Sequence, residues 1–141
     1  MSPDNEKGTP GSPAQWITHA ESDLRLARLG ADDLSILREQ VCFHAQQAAE
    51  KALKAVLLSQ GIEFPYTHDI KGLLKIAEAS ALVIPRAVQE AARLTPYAVE
   101  SRYPGCEFQI SETDVVEALQ TAEKTLSWAR ELISRKQGEN P

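Results

Sequence analysis

The segment Val41–Gly61 constrains the fold of this chain more than any other part of the sequence. Its apolar residues recur at steps of three and four, which places them along one side of an α-helix. Many of them are alanines, whose small side chains let neighbouring helices come close; the set is Val41, Ala45, Ala48, Ala49, Ala52, Leu53, Val56 and Leu57. Gly61 can adopt the left-handed conformation that ends many helices. The segment therefore predicts a long helix against which the rest of the chain packs.

A row of polar residues follows one side of the same predicted helix. The row is His44, Gln47, Lys51 and Lys54, again three and four residues apart, so their side chains are predicted to lie on one face. Imidazole can donate or accept a hydrogen bond and can titrate near neutral pH, and a lysine can hold a phosphate. We therefore identify His44, Gln47 and Lys51 as candidates for ligand binding, whereas for Lys54 a structural pairing is the favoured interpretation. The structural alternatives are a buried His44 tied to a neighbouring side chain, and a Lys51 paired with Gln47 or with an acidic neighbour.

Start and stop signals divide the remainder into further helices. Ser12 followed by Pro13 predicts a first helix that ends at Gly30. Later helices are predicted to begin at Asp32 or Asp33, at Thr67, at Pro85 and at Ser111, the last in a capping box with Asp114, while Pro96 breaks or kinks the fourth helix. Since no stretch alternates between apolar and polar residues, we expect an all-α fold with four to five main helices and no sheet. A flexible tail at 1–12, one domain at 13–136 and a frayed C terminus at 137–141 complete this organisation.

The composition narrows the classes of function. A chain of 141 residues with a net charge of −5 has the size of one domain, and it lacks the basic surface that indiscriminate binding to nucleic-acid backbones requires. No apolar run approaches the roughly 18 residues of a membrane helix. The N terminus lacks secretory features and Cys42 and Cys106 lie far apart, so we expect reduced thiols and a cytoplasmic location. No zinc spacing or glycine-rich phosphate loop is present, and we expect neither a metal nor a cofactor.

Two further groups of residues are candidates for ligand binding. Tyr97, Arg102 and Tyr103 offer a planar cation and aromatic faces, which suit stacking on a base and holding a phosphate. The alternative is that the arginine forms an ion pair inside the bundle or at a dimer interface. His68 stands at the start of a predicted helix, where the helix N terminus favours an anion. For this residue the alternative is local capping.

Four segments in this order resemble one family. They are A-x-x-D-L-x-x-A at 20–27, F-H-A-Q-Q-A-A-E-K-A-L-K-A at 43–55, T-H-D-I at 67–70 with two leucines close behind, and R-Y-P at 102–104 before the last helix. Together they resemble the HEPN family, over roughly residues 14 to 134. The resemblance implies an up-and-down helical bundle that usually forms a homodimer and binds a nucleotide, a purine nucleotide in one related domain. It also implies a minimal nucleotidyltransferase as a protein partner, in pairs that often act as toxin–antitoxin systems.

The sequence departs from the ribonuclease branch of that family. HEPN toxins that cut RNA carry an R-x(4–6)-H motif late in the chain. Arg102 is the late arginine that fits best, but no histidine follows it. Arg38 and His44 have the required spacing, yet six residues along a regular helix rotate the chain by about 600°, which leaves the two side chains about 120° apart. His44, Arg38 and Arg102 are therefore only weak candidates for catalysis.

Three hypotheses follow. The first is a HEPN protein that binds a nucleotide, a nucleotidyltransferase partner or both, without strong catalysis of its own. The second is a metal-independent ribonuclease toxin in which His44 acts with Arg38 or Arg102; RNA is a ligand only here. The third is a non-catalytic dimeric scaffold in which the polar row forms an interface. None of the three involves a membrane.

Overall fold

The chain is a bundle of helices. The computed structural model describes residues 11–98 and 109–139, with side chains to Lys136. The helices are α1 (Pro13–Ala31), α2 (Arg38–Ser59), α3 (Ile70–Ala79), α4 (Arg86–Gln89), a 3-10 helix (Glu90–Ala98) and α5 (Glu112–Glu139). These ranges contain no β-strand, which confirms the all-α fold. Arg102, Tyr103 and the turn predicted after Tyr97 lie outside them.

Contacts between side chains fix the directions of the three long helices. Arg28 on α1 forms an ion pair with Glu123 on α5 at 2.5 Å, and Glu21 on α1 pairs with Arg130 at 2.8 Å. The residue numbers run in opposite directions along the two helices, so α1 and α5 are antiparallel.

Helices α1 and α2 are also antiparallel. The end of α1 meets the start of α2, since a Cβ added to Gly30 would lie 3.1 Å from Val41 Cγ2. The start of α1 meets the second half of α2, where the Lys54 ammonium lies 5.6 Å from the centre of the Trp16 ring. It follows that α2 and α5 run in the same direction, and that α3, α4 and the 3-10 helix return the chain between them.

Helix α2 is the centre of the core, as the sequence predicts. Its alanines at 45, 48, 49, 52 and 55 are fully buried, which lets α1 and α5 pack closely on either side. The largest fully buried apolar side chains are Leu53, Leu57, Val56, Ile70, Leu73, Val88 and Leu126. None of the helices in the described part of the chain combines the length and the apolar character needed to cross a bilayer.

Several predicted helix ends are confirmed. Ser12 forms a capping box with Gln15 at the start of α1. Ser111 and Asp114 form the same arrangement before α5, with backbone-to-side-chain distances of 2.9 and 3.0 Å. Pro85 is the N-cap of α4. In each case the cap uses only residues close in sequence, which is why local sequence signals suffice to find it.

Two predicted helix starts are wrong. Helix α2 begins at Arg38 rather than after Asp32 or Asp33, because the Asp33 carboxylate accepts hydrogen bonds from Ser35 and holds the chain in a turn. Helix α3 begins at Ile70 rather than after Thr67, and the Ile70 N–H donates to the Thr95 hydroxyl, 3.2 Å away on the 3-10 helix. Thr95 is 25 residues from Ile70 in the sequence, so local signals do not reveal this start.

The ends of α2 and α3 share one geometry. After α2, Gly61 has a φ of 71° and the Ile62 N–H donates to the Leu57 carbonyl at 2.9 Å. After α3, Ala81 has a φ of 68° and the Leu82 N–H donates to the Ala77 carbonyl at 3.1 Å. Both are Schellman motifs, which satisfy carbonyls at a helix C terminus. The prediction for Gly61 is confirmed, whereas α1 ends at Ala31, one residue beyond the predicted Gly30.

Candidate functional site in the groove between α1 and α2

Two residues of the polar row on α2, His44 and Lys51, contact one carboxylate on α1, whereas Lys54 pairs with Glu50. Asp23 on α1 accepts a hydrogen bond from the Lys51 ammonium at 2.6 Å, and its other oxygen lies 3.1 Å from His44 Nδ1. The side chains of Asp23, His44 and Lys51 are 14, 26 and 23% exposed. These three residues, which we call the Asp23 cluster, are therefore half-buried in the groove and remain in contact with solvent.

The geometry of the Asp23 cluster leaves hydrogen-bonding capacity unused. A neutral His44 that donates from Nδ1 to Asp23 presents Nε2 as an acceptor. The Lys51 ammonium has three donor hydrogens and gives one to Asp23. The cluster thus holds a potential base and a cation next to each other, oriented by one carboxylate.

A cavity opens at the Lys51 end of this groove. It has a volume of about 380 Å³ and is lined by Gly11, Gln15, Trp16, His19 and Lys51. Pockets of 300 to 1,000 Å³ hold most small ligands. This one combines an aromatic side chain, an imidazole, an amide and an ammonium group, which is a lining suited to a polar ligand with a planar part.

A second cavity opens at the His44 end. It has a volume of about 340 Å³, and its lining is mostly apolar: Leu26, Leu29, Gly30, Asp33, Ile36, Gln40, Val41 and His44. The Asp23 cluster therefore lies between two cavities, one at the Lys51 end and one at the His44 end. The groove between α1 and α2 joins both.

A second cluster of charged residues lies inside the bundle. Glu50 accepts hydrogen bonds from Lys54 at 2.9 Å and from Gln46 at 2.7 Å, and His68 Nδ1 lies 3.0 Å from it. Glu50 and Lys54 are only 3 and 6% exposed, so the ion pair at the centre of this Glu50 cluster is buried. Gln47, predicted to bind a ligand, donates to Gln46 at 2.7 Å. The arrangement holds α2 and the segment before α3 together.

His68 differs from the rest of the Glu50 cluster because half of its side chain is exposed. Its ring nitrogen Nδ1 contacts Glu50. The Lys54 ammonium lies 5.6 and 5.7 Å from the ring centres of Trp16 and Tyr66, in cation–π contacts. These contacts add to the attraction that Glu50 exerts on the buried ammonium.

The side chains of Arg38 and His44 contact different neighbours. The Arg38 guanidinium donates to the Ile110 carbonyl at 2.9 Å and lies 3.4 Å from Glu112, at the start of α5. His44 turns to Asp23 on α1. Within one chain the two do not form a catalytic pair, in agreement with their separation of about 120° around α2.

Tyr97 lies at a third cavity, away from the groove. This cavity has a volume of about 500 Å³ and lies between the 3-10 helix and α5. Burial raises the pKa of Tyr97 to about 12, assisted by the charges of Cys42, Asp114 and Glu117. Burial likewise raises the pKa of Cys42 to about 12, and a hydrogen bond links the two side chains. Tyr97 and Cys42 therefore stay protonated at neutral pH; Cys42 is fully buried, and the partly buried Tyr97 packs against the core.

Sequence reasoning found the row on α2 but missed its counterpart on α1. Trp16, His19 and Asp23 follow one another at steps of three and four, so they lie on one face of α1. That spacing is a usable signal, although it does not tell which helix the face meets. Among the described residues, no group of three or more His, Cys, Asp or Glu side chains is arranged to hold a metal ion.

Comparison with known proteins agrees with this fold. The HEPN domain family model matches residues 14–132. The crystal structure of ST0689, an archaeal HEPN homologue, is 32% identical over 88% of this chain and 99% of its own, with a TM-score of 0.68. The crystal structure of TT1696 from Thermus thermophilus is 29% identical over 85% of this chain and 97% of its own, with a TM-score of 0.70. No curated protein matches the chain.

Proposed function

Because this chain belongs to the HEPN domain family, we propose that it binds a purine nucleotide at the Lys51 end of the groove between α1 and α2. The single observation that carries this proposal is the cavity lined by Gln15, Trp16, His19 and Lys51. Trp16 offers an aromatic face to a base, and Lys51 offers a cation to a phosphate. A nucleotide needs both kinds of contact within the length of one ligand.

The ion pair between Lys51 and Asp23 affects how strongly the cavity can bind a phosphate. One donor hydrogen of the ammonium is used at 2.6 Å, and the other two can reach a phosphate in the cavity. Asp23 opposes the approach of an anion to the same ammonium. We therefore expect moderate, micromolar affinity.

Calorimetric titration with ATP and GTP tests the proposal. Lys51→Ala removes a charge-assisted hydrogen bond worth about 1.5–3 kcal/mol, so affinity falls at least about tenfold. The matched control is Lys75→Ala, which removes an exposed lysine on α3. Absence of binding by the wild type, or equal losses in both variants, would contradict the proposal.

The same proposal includes two protein contacts. We expect a homodimer, and we expect a nucleotidyltransferase as a partner in a two-gene, toxin–antitoxin-like system, both on the grounds of family membership. Light scattering measures the mass of the chain alone. Mixing the chain with a nucleotidyltransferase encoded beside it then shows whether a complex forms and whether ATP changes its stability.

A second candidate function rests on the Asp23 cluster. Metal-independent cleavage of RNA needs a base for the 2′-hydroxyl and a cation for the phosphate. His44 Nε2 and the Lys51 ammonium, both oriented by Asp23, supply these two groups where Arg38 does not. On this alternative, His44→Ala abolishes RNA cleavage in the presence of EDTA. Wild-type protein that leaves RNA intact would eliminate it.

A further inference from the structure

Large apolar side chains are exposed together where α1 turns into α2. Leu26, Leu29, Leu34, Ile36 and Leu37 are 50, 54, 103, 41 and 60% exposed. In the rest of the described chain, the other large apolar side chains that are exposed are Tyr66, Val83 and Val116, which are far apart in sequence. A contiguous apolar patch on a protein surface usually marks a contact with another molecule.

The patch has both a projection and a depression. Leu34 extends fully into solvent. Asp33 and Ile36, on either side of it in the sequence, both line the apolar cavity of about 340 Å³. Leu34 therefore extends from a turn whose residues border a cavity large enough for a leucine side chain, since pockets of this size hold whole small ligands.

The turn that carries Leu34 is held in place. The Asp33 carboxylate accepts hydrogen bonds from the Ser35 N–H at 2.9 Å and from its hydroxyl at 2.6 Å, and the Ile36 N–H donates to the Asp33 carbonyl at 3.0 Å. A Cβ added to Gly30 would lie 3.1 Å from both Ile36 and Val41, so the end of α1 packs closely against the turn and the start of α2 in the wall of the cavity. Preorganised surfaces lose little conformational entropy when they bind.

A projection next to a depression on one face is self-complementary. A two-fold axis between the two features places each Leu34 in the cavity of the other copy, and this arrangement closes as a dimer. A projection and a depression on opposite faces would instead produce an open chain of subunits. Exposed charges of both signs, Arg25 and Asp32, flank the patch, so two copies related by such an axis can also bring opposite charges together.

We propose that this face, formed by Leu26, Leu29, Leu34, Ile36 and Leu37, is the interface of a two-fold dimer in which each Leu34 fills the apolar cavity of the other copy. The inference deepens the homodimer of the proposed function and rests on it. Because His44 also lines that cavity, Leu34 of one copy covers the imidazole of the other. The dimer contact thus closes one end of the groove and leaves the Lys51 end open.

Sedimentation velocity of single and mixed variants tests this arrangement. Leu34→Lys places a charge on the projection without touching the core, and Leu26→Glu places the opposite charge in the wall of the cavity. Each variant alone is expected to dimerise at least about tenfold more weakly, as loss of an anchor side chain implies. Val83→Lys, at an 87% exposed apolar position elsewhere, is the matched control and stays dimeric.

An equimolar mixture of Leu34→Lys and Leu26→Glu is expected to form heterodimers, because one contact is then native and the other joins opposite charges. A monomeric wild type, a dimer that persists in Leu34→Lys, or a mixture that stays monomeric would each overturn the inference. Thermal melts verify that both variants fold. Titration of the same samples with ATP tests the Lys51 cavity separately, so failure of the dimer and failure of nucleotide binding are distinguishable.

Discussion

Replacement of Glu50 by alanine is the most informative test of how the bundle is held together. Glu50 is 3% exposed and contacts Lys54, Gln46 and His68. The variant leaves the Lys54 ammonium, itself 6% exposed, without its carboxylate. It also removes the acceptor of the Gln46 amide, whereas His68 can turn its half-exposed ring to solvent.

The expected loss of stability follows from these contacts. Removal of one member of a buried ion pair costs about 3–5 kcal/mol, because the other charge is left buried. Lys54 keeps its contacts with the Trp16 and Tyr66 rings, and its long side chain can bend towards water, so we place the cost near the lower limit, about 3 kcal/mol. For a chain of this size that corresponds to a decrease in Tm of roughly 10 °C.

Urea unfolding followed by circular dichroism measures the free energy. The matched control is Glu131→Ala, which breaks a pair with Arg135 of the same four-residue spacing at side chains that are 62 and 70% exposed; its cost is below about 0.5 kcal/mol. In Glu50→Ala/Lys54→Met no buried charge remains, and about 1–2 kcal/mol of the loss is recovered. Equal costs for Glu50→Ala and Glu131→Ala, or a double variant less stable than Glu50→Ala, would refute the reasoning.

Other predictions concern helix ends, alkaline pH and the groove. Gly61→Ala lowers the free energy of unfolding by about 1 kcal/mol and Ala81→Gly raises it by up to about 1 kcal/mol, since both positions have positive φ; urea unfolding measures both. Folding raises the pKa values of Cys42 and Tyr97 from 9.0 and 10.0 to about 12. Their contribution to stability is therefore fully present below pH 9 and is lost as the pH rises to 12. Tyr97→Phe makes the decrease in Tm across this pH range smaller. Asp23→Asn lowers the unfolding free energy by about 1 kcal/mol, as expected for a half-buried pair, yet strengthens ATP binding in calorimetry because it removes the negative charge that contacts Lys51 beside the cavity.

The sequence predicts those parts of the fold that depend on neighbours along the chain. The capping boxes at Ser12 and Ser111 and the glycine at position 61 require only residues within about one helical turn. The start of α3 depends on Thr95, which is 25 residues away. Ala81 ends α3 in a left-handed conformation without any glycine signal, so packing of the following segment overrides local preference there.

At the candidate site, too, the sequence predicts only what depends on residues close together along the chain. The spacing of His44 and Lys51 shows that they share a face of α2, and that is a property of one helix. The residue that joins them, Asp23, is on α1, and no local pattern specifies that the two faces meet. Distances across a pair of helices are set by the packing of small side chains such as Ala45 and Ala48, which fixes how closely the helices approach.

Burial decides which of the two charged clusters can serve a ligand. Each has one carboxylate that contacts one lysine and one histidine: Asp23 contacts Lys51 and His44, and Glu50 contacts Lys54 and His68. An anion can approach the Lys51 ammonium from the cavity without leaving water entirely. To reach the buried Lys54 ammonium it would have to enter the core and displace Glu50, which repels it, and such desolvation costs several kcal/mol per ion. Chemically similar sets of side chains therefore have different roles: the Glu50 cluster stabilises the bundle, and the Asp23 cluster is the one that a ligand can use.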